Sequence, residues 1–122
     1  MEAGGLVYDA ESYADDLPYY DLTHGKPQLF VPYTLDANDM KFAALNGFTE
    51  GEQFFRYLRD AFDMLYAEGG RMMSIGLHCR LAGKPARALA LQRFLEHVAS
   101  HEDVWVASRL DIARHWMSVH PA

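Results

Sequence analysis

The sequence predicts an α/β fold of one domain, with about four mostly parallel strands and three helices. Short apolar runs at residues 6–8, 28–35, 72–77 and 104–106 have the length of buried strands. Segments with helical spacing of apolar residues separate the later runs. Strands that alternate with helices pair in parallel, because each helix carries the chain back across the sheet. We expect a single domain over residues 1–122.

The first two predicted strands are marked by turn residues and β-forming side chains. A Gly-Gly pair precedes residues 6–8, and residues 28–35 are nearly continuously apolar. Pro32 removes a backbone donor from the second run, which places that strand at a sheet edge or at a bulge. Residues 9–27 are predicted to form a long loop, and long ordered loops usually carry function.

The three predicted helices have recognisable starts. Thr49 and Glu52 have the spacing of a capping box, in which the hydroxyl and the carboxylate satisfy two free backbone amides. Apolar residues follow at helical spacing: Phe54, Phe55, Leu58, Ala61, Phe62 and Leu65. Residues 86–99 have apolar side chains on one face and form the second helix. Ser108 and Asp111 resemble another cap, which opens the third helix.

Composition and charge exclude several classes of protein. The net charge is −6 and no basic block exists, so we expect no nucleic-acid partner. The single cysteine, Cys79, excludes an internal disulfide and a zinc–thiolate cluster, and it fits a reducing compartment. No apolar stretch approaches the roughly 20 residues of a membrane span, and residues 1–5 lack signal-peptide features. We therefore expect a cytoplasmic protein without a membrane partner.

Polar clusters stand at the carboxyl ends of the predicted strands, where side chains of parallel α/β folds converge on one site. The clusters are Tyr8-Asp9, residues 34–39, residues 78–80 and Ser108-Arg109. The pattern predicts the rim of an active site.

The acidic pair in the second cluster and the histidine in the third are the main candidates. Asp36 and Asp39 could share a site, orient a histidine or bind a cation, although Asp residues also form turns with their own backbone. His78 suits acid–base chemistry, because histidine changes charge near neutral pH; a core histidine bonded to a carbonyl is the alternative. Arg80 could bind an anionic or carbonyl oxygen, or be an ordinary surface arginine.

Other reactive side chains are predicted to be structural. Cys79 has no nucleophile signature and is expected to be a small buried side chain. His97 and His101 lie four residues apart on one helix face, but the His-Glu-x-x-His signature is absent. We expect solvated histidines near the helix C-terminus. Four tyrosines could line a pocket or cover a core: Tyr8, Tyr13, Tyr19 and Tyr20.

Three sequence blocks together carry a family resemblance. They are residues 8–19 (YDAESYADDLPY), 31–40 (VPYTLDANDM) and 74–80 (SIGLHCR). In this order they closely resemble the allantoinase branch of the polysaccharide deacetylase superfamily, which is linked to urate and purine breakdown. The resemblance covers essentially the whole chain, including residues 104–116.

The resemblance implies a distorted (β/α) barrel and hydrolysis of the hydantoin ring of allantoin to allantoate. Asp36 and Asp39 match the aspartates of the fourth family motif. His78 matches the histidine of the fifth motif, which acts as an acid or is tuned by a nearby aspartate. Met40 stands where deacetylases usually carry Trp. We assign catalysis to His78, Asp36 and Asp39, substrate binding to Arg80, Tyr13, Tyr8 and Asp9, and metal binding to no residue.

The resemblance also implies that a large part of the family pattern is missing. Family members are more than twice this length, and their first three motifs, including the metal ligands, have no counterpart here. We therefore expect a partial (β/α) barrel of the polysaccharide deacetylase type, the C-terminal half alone, with no cofactor. Its open sheet edges favour a homo-oligomer or a complementing N-terminal half.

We expect an allantoin-like substrate and little or no activity of the chain alone. The alternative is a non-catalytic module that oligomerises or binds a small ligand.

Overall fold

The computed structural model describes residues 5–122. Residues 1–4 lie outside the described residues. The prediction that residues 1–5 lack signal-peptide features, and that of a Gly-Gly turn before residue 6, fall partly on them. Residues 5–33 and 105–122 form one compact unit, and residues 34–104 form another. No helix within the described range combines the length and apolarity needed to cross a bilayer.

The elements of the described chain are two strands, one short 3-10 helix and four α-helices. In chain order they are β1 (Tyr19–Asp21), β2 (Gln28–Phe30), the 3-10 helix (Asp39–Phe42), α1 (Gly51–Glu68), α2 (Cys79–Ala82), α3 (Pro85–Ala99) and α4 (Arg109–Val119). The three predicted helices are confirmed as α1, α3 and α4.

The first unit contains an antiparallel hairpin. Tyr19 of β1 lies opposite Phe30 of β2, and their rings stack with centroids 5.2 Å apart. Asp9 adds a parallel bridge: its N–H donates to the Leu29 carbonyl, and its carbonyl accepts the Val31 N–H, each at 2.8 Å. β1 lies within residues 9–27, so part of the segment predicted as a long loop forms a strand.

The second unit is built on α1 and α3. Apolar side chains recur every three or four residues along α1 and bury one face of that helix against α3. Phe54 and Leu58 are fully buried. The core residues are Ala37, Phe54, Phe55, Leu58, Phe62, Ala90 and Phe94. The helical periodicity of the sequence thus identified the correct buried face.

The prediction of four mostly parallel strands was wrong for the described residues, which contain one two-stranded antiparallel sheet. Residues 6–8, 72–77 and 104–106 form no strand. Within residues 72–77, pairing is reduced to one parallel bridge, between Gly76 and Asn38. A strand needs a neighbour along its whole length to bond its backbone groups, and these apolar runs have at most one such contact.

One predicted helix cap was wrong, because other side chains compete for its groups. The N-cap residue of α1 is Glu50, which makes no side-chain cap hydrogen bond. Thr49 instead donates its N–H and its hydroxyl to Oε1 of Gln53, at 2.7 and 3.0 Å. The Glu52 carboxylate accepts a hydrogen bond from Arg93 of α3 at 2.6 Å. A helix-to-helix ion pair thus replaces the local cap.

The other predicted cap is confirmed. The Ser108 hydroxyl accepts the Asp111 N–H at 3.2 Å, and the Asp111 carboxylate accepts the Ser108 N–H at 3.3 Å. This reciprocal pair satisfies two free amides at the start of α4.

Candidate functional site

A buried carboxylate and a half-exposed histidine form the centre of the site. Asp39 is fully buried, whereas 48% of the His78 side chain is exposed. Oδ1 of Asp39 lies 2.7 Å from Nδ1 of the His78 ring. Oδ2 accepts the backbone N–H of His78 at 2.7 Å and that of Ala82 at 3.0 Å. Three hydrogen bonds therefore fix the carboxylate, and the carboxylate fixes the histidine.

The local sequence explains why Asp39 faces inward. Asn38 caps the 3-10 helix by accepting the Met40 N–H on its side-chain oxygen at 2.9 Å. The Asp39 N–H donates to the Gly76 carbonyl at 3.0 Å, two residues before His78. A Cβ atom added at Gly76 would lie 2.3 Å from Nδ2 of Asn38. Glycine is therefore what lets the two segments approach closely enough for the Asp39–His78 contact.

The hydrogen bonds define the chemistry of the histidine. A carboxylate that already accepts two backbone N–H groups acts as an acceptor toward the ring as well. Nδ1 of His78 then carries the proton, and Nε2 keeps its lone pair. An imidazole that a carboxylate orients in this way is suited to taking a proton from one reactant and delivering it to another. The pair can act as an oriented acid–base group.

An apolar groove lies beside His78. Its volume is about 610 Å³, and its lining includes Leu77, His78, Cys79, Leu91 and Leu95. Cys79 is exposed, which corrects the prediction of a small buried side chain. It is the first residue of the four-residue α2. Arg80, the proposed oxygen-binding residue, is also exposed on α2.

Asp36 has a different partner from Asp39. It is exposed, and its Oδ2 accepts a hydrogen bond from the Tyr57 hydroxyl at 2.9 Å. Burial, the largest single influence, raises the pKa of Asp36, but the hydrogen bonds from Tyr57, Thr34 and nearby backbone amides together hold the pKa below its ordinary value. Burial and then the Asp36 carboxylate raise the pKa of Tyr57. Of the two aspartates, Asp39 is thus the one that contacts His78.

The remaining predicted site residues belong to the first unit. The Asp9 carboxylate accepts the Glu11 N–H at 2.7 Å, and Tyr8 is half-buried. Tyr13 is exposed and packs edge-on against Tyr33, with ring centroids 5.7 Å apart. The Arg109 guanidinium, from the fourth polar cluster, lies 5.7 Å from the centre of the same Tyr33 ring. Within this unit the structure therefore groups two tyrosines with a cation.

Sequence reasoning did not identify two partner residues, Tyr57 for Asp36 and Asp63 for His97. Tyr57 binds Asp36, as described above. Asp63 contacts Nε2 of His97 through Oδ1 at 2.6 Å. His97 and His101 are half-buried rather than solvated, because both rings pack edge-on against Phe62. Both missed residues lie on α1, and no local signal links them to residues more than 20 positions away.

Comparison with known proteins shows what the chain resembles. No protein-family profile matches it. A Schizosaccharomyces pombe protein assigned to the polysaccharide deacetylases is 48% identical, over 93% of this chain and 40% of that protein. The crystal structure of a Pseudomonas aeruginosa PAO1 protein assigned to the same group is 58% identical, with a TM-score of 0.93, and covers 100% of this chain and 42% of that chain.

The crystal structure of PuuE allantoinase gives an equally strong match. It is 58% identical with a TM-score of 0.93, and the match covers 99% of this chain and 42% of the allantoinase chain. The chain therefore spans about two fifths of the length of these relatives. The matches confirm the predicted resemblance to the allantoinase branch of the polysaccharide deacetylases, and they show a fold of that type.

Proposed function

We propose that this chain, which has the sequence and fold of a polysaccharide deacetylase-type protein, supplies part of the active site of a hydrolase that opens a cyclic amide. The proposed reaction is the conversion of allantoin to allantoate, in the breakdown of purines in the cytoplasm. The observation that carries the proposal is the buried Asp39 carboxylate, which orients the half-exposed His78. The 58% identity to PuuE allantoinase favours the hydantoin ring as substrate.

The proposed chemistry assigns proton transfer to His78. Hydrolysis of a cyclic amide needs a base that takes a proton from the attacking water and an acid that protonates the ring nitrogen. Water adds to the ring carbonyl carbon, the C–N bond breaks, and the nitrogen leaves with the proton that His78 received. Asp39 keeps the ring orientation fixed through Nδ1. Both transfers use the imidazole, so the proposal needs no cofactor.

The other predicted residues receive supporting roles in this proposal. The hydrogen bond from Tyr57 helps to hold Asp36 in its charged form, and Asp36 keeps the catalytic role that the resemblance implies. Arg80 is exposed on α2 and offers its guanidinium to the ring carbonyls of the substrate. The proposed substrate-binding roles of Tyr8, Asp9 and Tyr13 rest on the sequence resemblance alone.

We propose that a complementing segment completes the barrel. The chain spans 42% of the allantoinase chain, and the apolar residues 72–77 pair with a neighbour at one position, Gly76. Unpaired backbone of this kind favours addition of further strands. The complementing segment would be an N-terminal half of the family type or a second copy of this chain. We expect little turnover without it.

The proposal is tested by complementation. The 122-residue chain is mixed with the part of PuuE allantoinase that it does not cover, and allantoate formation is measured. We expect turnover in the mixture that falls about 10²–10⁴-fold in His78→Gln, because one positioned acid–base group contributes that factor. His24→Gln, an exposed loop histidine, is the matched control and should keep full turnover.

Two outcomes would contradict the proposal. Turnover in the mixture that His78→Gln does not change would remove His78 from catalysis. A stable complex or homo-oligomer without turnover, observed by light scattering, would favour a non-catalytic module that acts by association or by ligand binding.

A further inference from the structure

We propose that Asp63, His97 and His101 form a binding site for a transition-metal ion such as Zn²⁺. One oxygen of the carboxylate and one nitrogen of each imidazole lie within 4.8 Å of one another. Asp63 lies on α1, His97 lies in the last turn of α3, and His101 follows α3 by two residues. All three belong to the second unit, and none of them takes part in the proposed hydrolysis.

The two imidazoles rest on a rigid aromatic base. Phe62 of α1 is buried and contacts Phe94 of α3 edge-on, with ring centroids 6.1 Å apart. The centroids of the His97 and His101 rings lie 5.5 and 5.0 Å from the same Phe62 ring. The Tyr66 ring, one turn further along α1, also contacts the His101 ring, and the two ring centroids lie 4.6 Å apart. This packing holds the donor atoms in place before an ion arrives, which lowers the entropy lost on binding.

The hydrogen bond at His101 leaves one nitrogen available for a metal. Nδ1 of His101 lies 2.9 Å from the His97 carbonyl oxygen. A carbonyl oxygen can only accept, so Nδ1 carries the proton and Nε2 keeps a free lone pair. Metal-binding histidines in proteins are oriented by this kind of outer hydrogen bond from the second ring nitrogen.

The Asp63–His97 contact supplies the remaining donors. Oδ1 of Asp63 and Nε2 of His97 lie 2.6 Å apart, so one proton now joins them. A divalent ion would replace that proton and accept a lone pair from each group. In a tetrahedral zinc site the bond lengths place ligand atoms about 3.3 Å apart, so the donor separations, which are 2.6 Å for Asp63–His97 and at most 4.8 Å, have to change by up to about 1.5 Å. Asp63 is exposed and can make that adjustment.

The donor set selects the class of ion. Two imidazoles and one carboxylate suit Zn²⁺, Co²⁺, Ni²⁺ and Cu²⁺, whereas Ca²⁺ and Mg²⁺ prefer oxygen ligands throughout. A fourth ligand would be water, because the cluster faces solvent through Asp63. A bound ion would tie α1 to the end of α3 and stabilise the second unit.

The test is calorimetric titration of the 122-residue chain with ZnCl2, together with the visible absorption of a Co²⁺ complex. We expect one ion per chain and a tetrahedral Co²⁺ spectrum. His97→Gln and Asp63→Asn, both near the surface, should each weaken binding at least about tenfold. His24→Gln removes an exposed histidine elsewhere and should bind normally. Zinc should raise the Tm of the wild type and of His24→Gln, and not that of the other two variants.

Two results would overturn the site. The first is no zinc binding by the folded wild-type chain at millimolar concentration, which would make the cluster an ion pair packed on aromatic rings. The second is binding that persists in His97→Gln and Asp63→Asn but is lost in His78→Gln, which would place the ion at the Asp39–His78 pair. Circular dichroism of each variant shows whether it is folded before it is compared.

Discussion

The carboxylate of Asp39 binds both the ring and the backbone of His78, one oxygen to each, at 2.7 Å. The same oxygen that binds the backbone also accepts the Ala82 N–H, which donates to the His78 carbonyl as well, so Asp39 contacts the backbone at both ends of α2. One buried side chain therefore does two things: it positions the candidate acid–base group and stabilises the turn that carries it. Loss of Asp39 should affect both properties.

Asp39→Asn should destabilise the second unit. The amide oxygen can still accept the two backbone N–H groups while the N–H₂ group faces the ring, but these hydrogen bonds are then neutral rather than charge-assisted. Hydrogen bonds to a charged group contribute about 1.5–3 kcal/mol each, and we expect a loss of about 2–3 kcal/mol in the free energy of unfolding, measured by urea denaturation. Asp36→Asn, at an exposed site, should cost less than about 1 kcal/mol. Equal losses in the two variants would contradict the distinction between them.

The same variant should change the tautomer of His78. In the wild type the carboxylate holds the proton on Nδ1. In Asp39→Asn the side chain can turn its N–H₂ group to the ring, which favours an unprotonated Nδ1. Long-range ¹⁵N–¹H correlation spectra of the imidazole report the protonated nitrogen directly. Spectra identical to those of the wild type would show that the carboxylate does not set the tautomer.

Tyr57→Phe should raise the pKa of Asp36. Burial raises this pKa, and the hydrogen bond from Tyr57 is the strongest of the opposing influences. Without the hydroxyl, the rise in the Asp36 pKa that burial causes is opposed less strongly. Carbon-13 NMR titration of the carboxyl group measures the change. Tyr66→Phe is a matched control, since Tyr66 donates in the same way to Asp103, whose pKa it lowers. That variant should shift Asp103 and leave Asp36 unchanged.

The Asp36–Tyr57 pair also predicts the direction of the pH dependence of stability. The pKa of Asp36 is lowered in the folded protein, so its contribution is present above the ordinary value of 3.8 and is lost as pH falls through the folded pKa. The pKa of Tyr57 is raised, so its contribution is present below 10.0 and is lost as pH rises through the folded value. The free energies of unfolding of the wild type and of Tyr57→Phe, measured by denaturation, should therefore differ least at the two extremes of pH. A constant difference across this range would contradict the linkage.

Gly76→Ala should disrupt the approach of the two site segments. The added Cβ would lie 2.3 Å from Nδ2 and 2.7 Å from Cγ of Asn38, so the bridge between these residues has to open. Overpacking of this kind costs about 1–3 kcal/mol. Leu77→Ala, at a neighbouring exposed side chain, should cost much less. Thermal unfolding measures both variants, and the His78 ring resonances report whether the contact with Asp39 survives.

Ser108→Ala should weaken the start of α4. The hydroxyl accepts the Asp111 N–H and is one half of a reciprocal cap, and losing such a cap typically costs about 1 kcal/mol. Ser118→Ala is a matched control, because that hydroxyl only donates to a carbonyl inside the helix. Chemical denaturation should separate the two variants. A Ser118→Ala loss as large as that of Ser108→Ala would rule out the cap as the cause.

The sequence by itself determined the features that depend on neighbouring residues. The spacing of Phe54, Leu58 and Phe62 predicted the buried face of α1, because helical periodicity brings residues three and four apart onto one side. The cap at Ser108 was equally predictable, since both of its groups lie within one turn. The block around His78 identified the candidate site segment through the resemblance to a known family, and its role stays a prediction.

Only the tertiary structure decided which groups meet across the chain. Asp36 and Asp39 lie three residues apart with similar local signals, yet Asp39 alone is buried against His78, 39 positions away. Asp63 reaches His97 across 34 positions because α1 packs on α3. The predicted parallel strands failed for the same reason, as a strand forms only where a distant segment supplies its backbone partners. Periodicity and capping act within a turn, whereas burial and pairing depend on distant segments that local patterns do not identify.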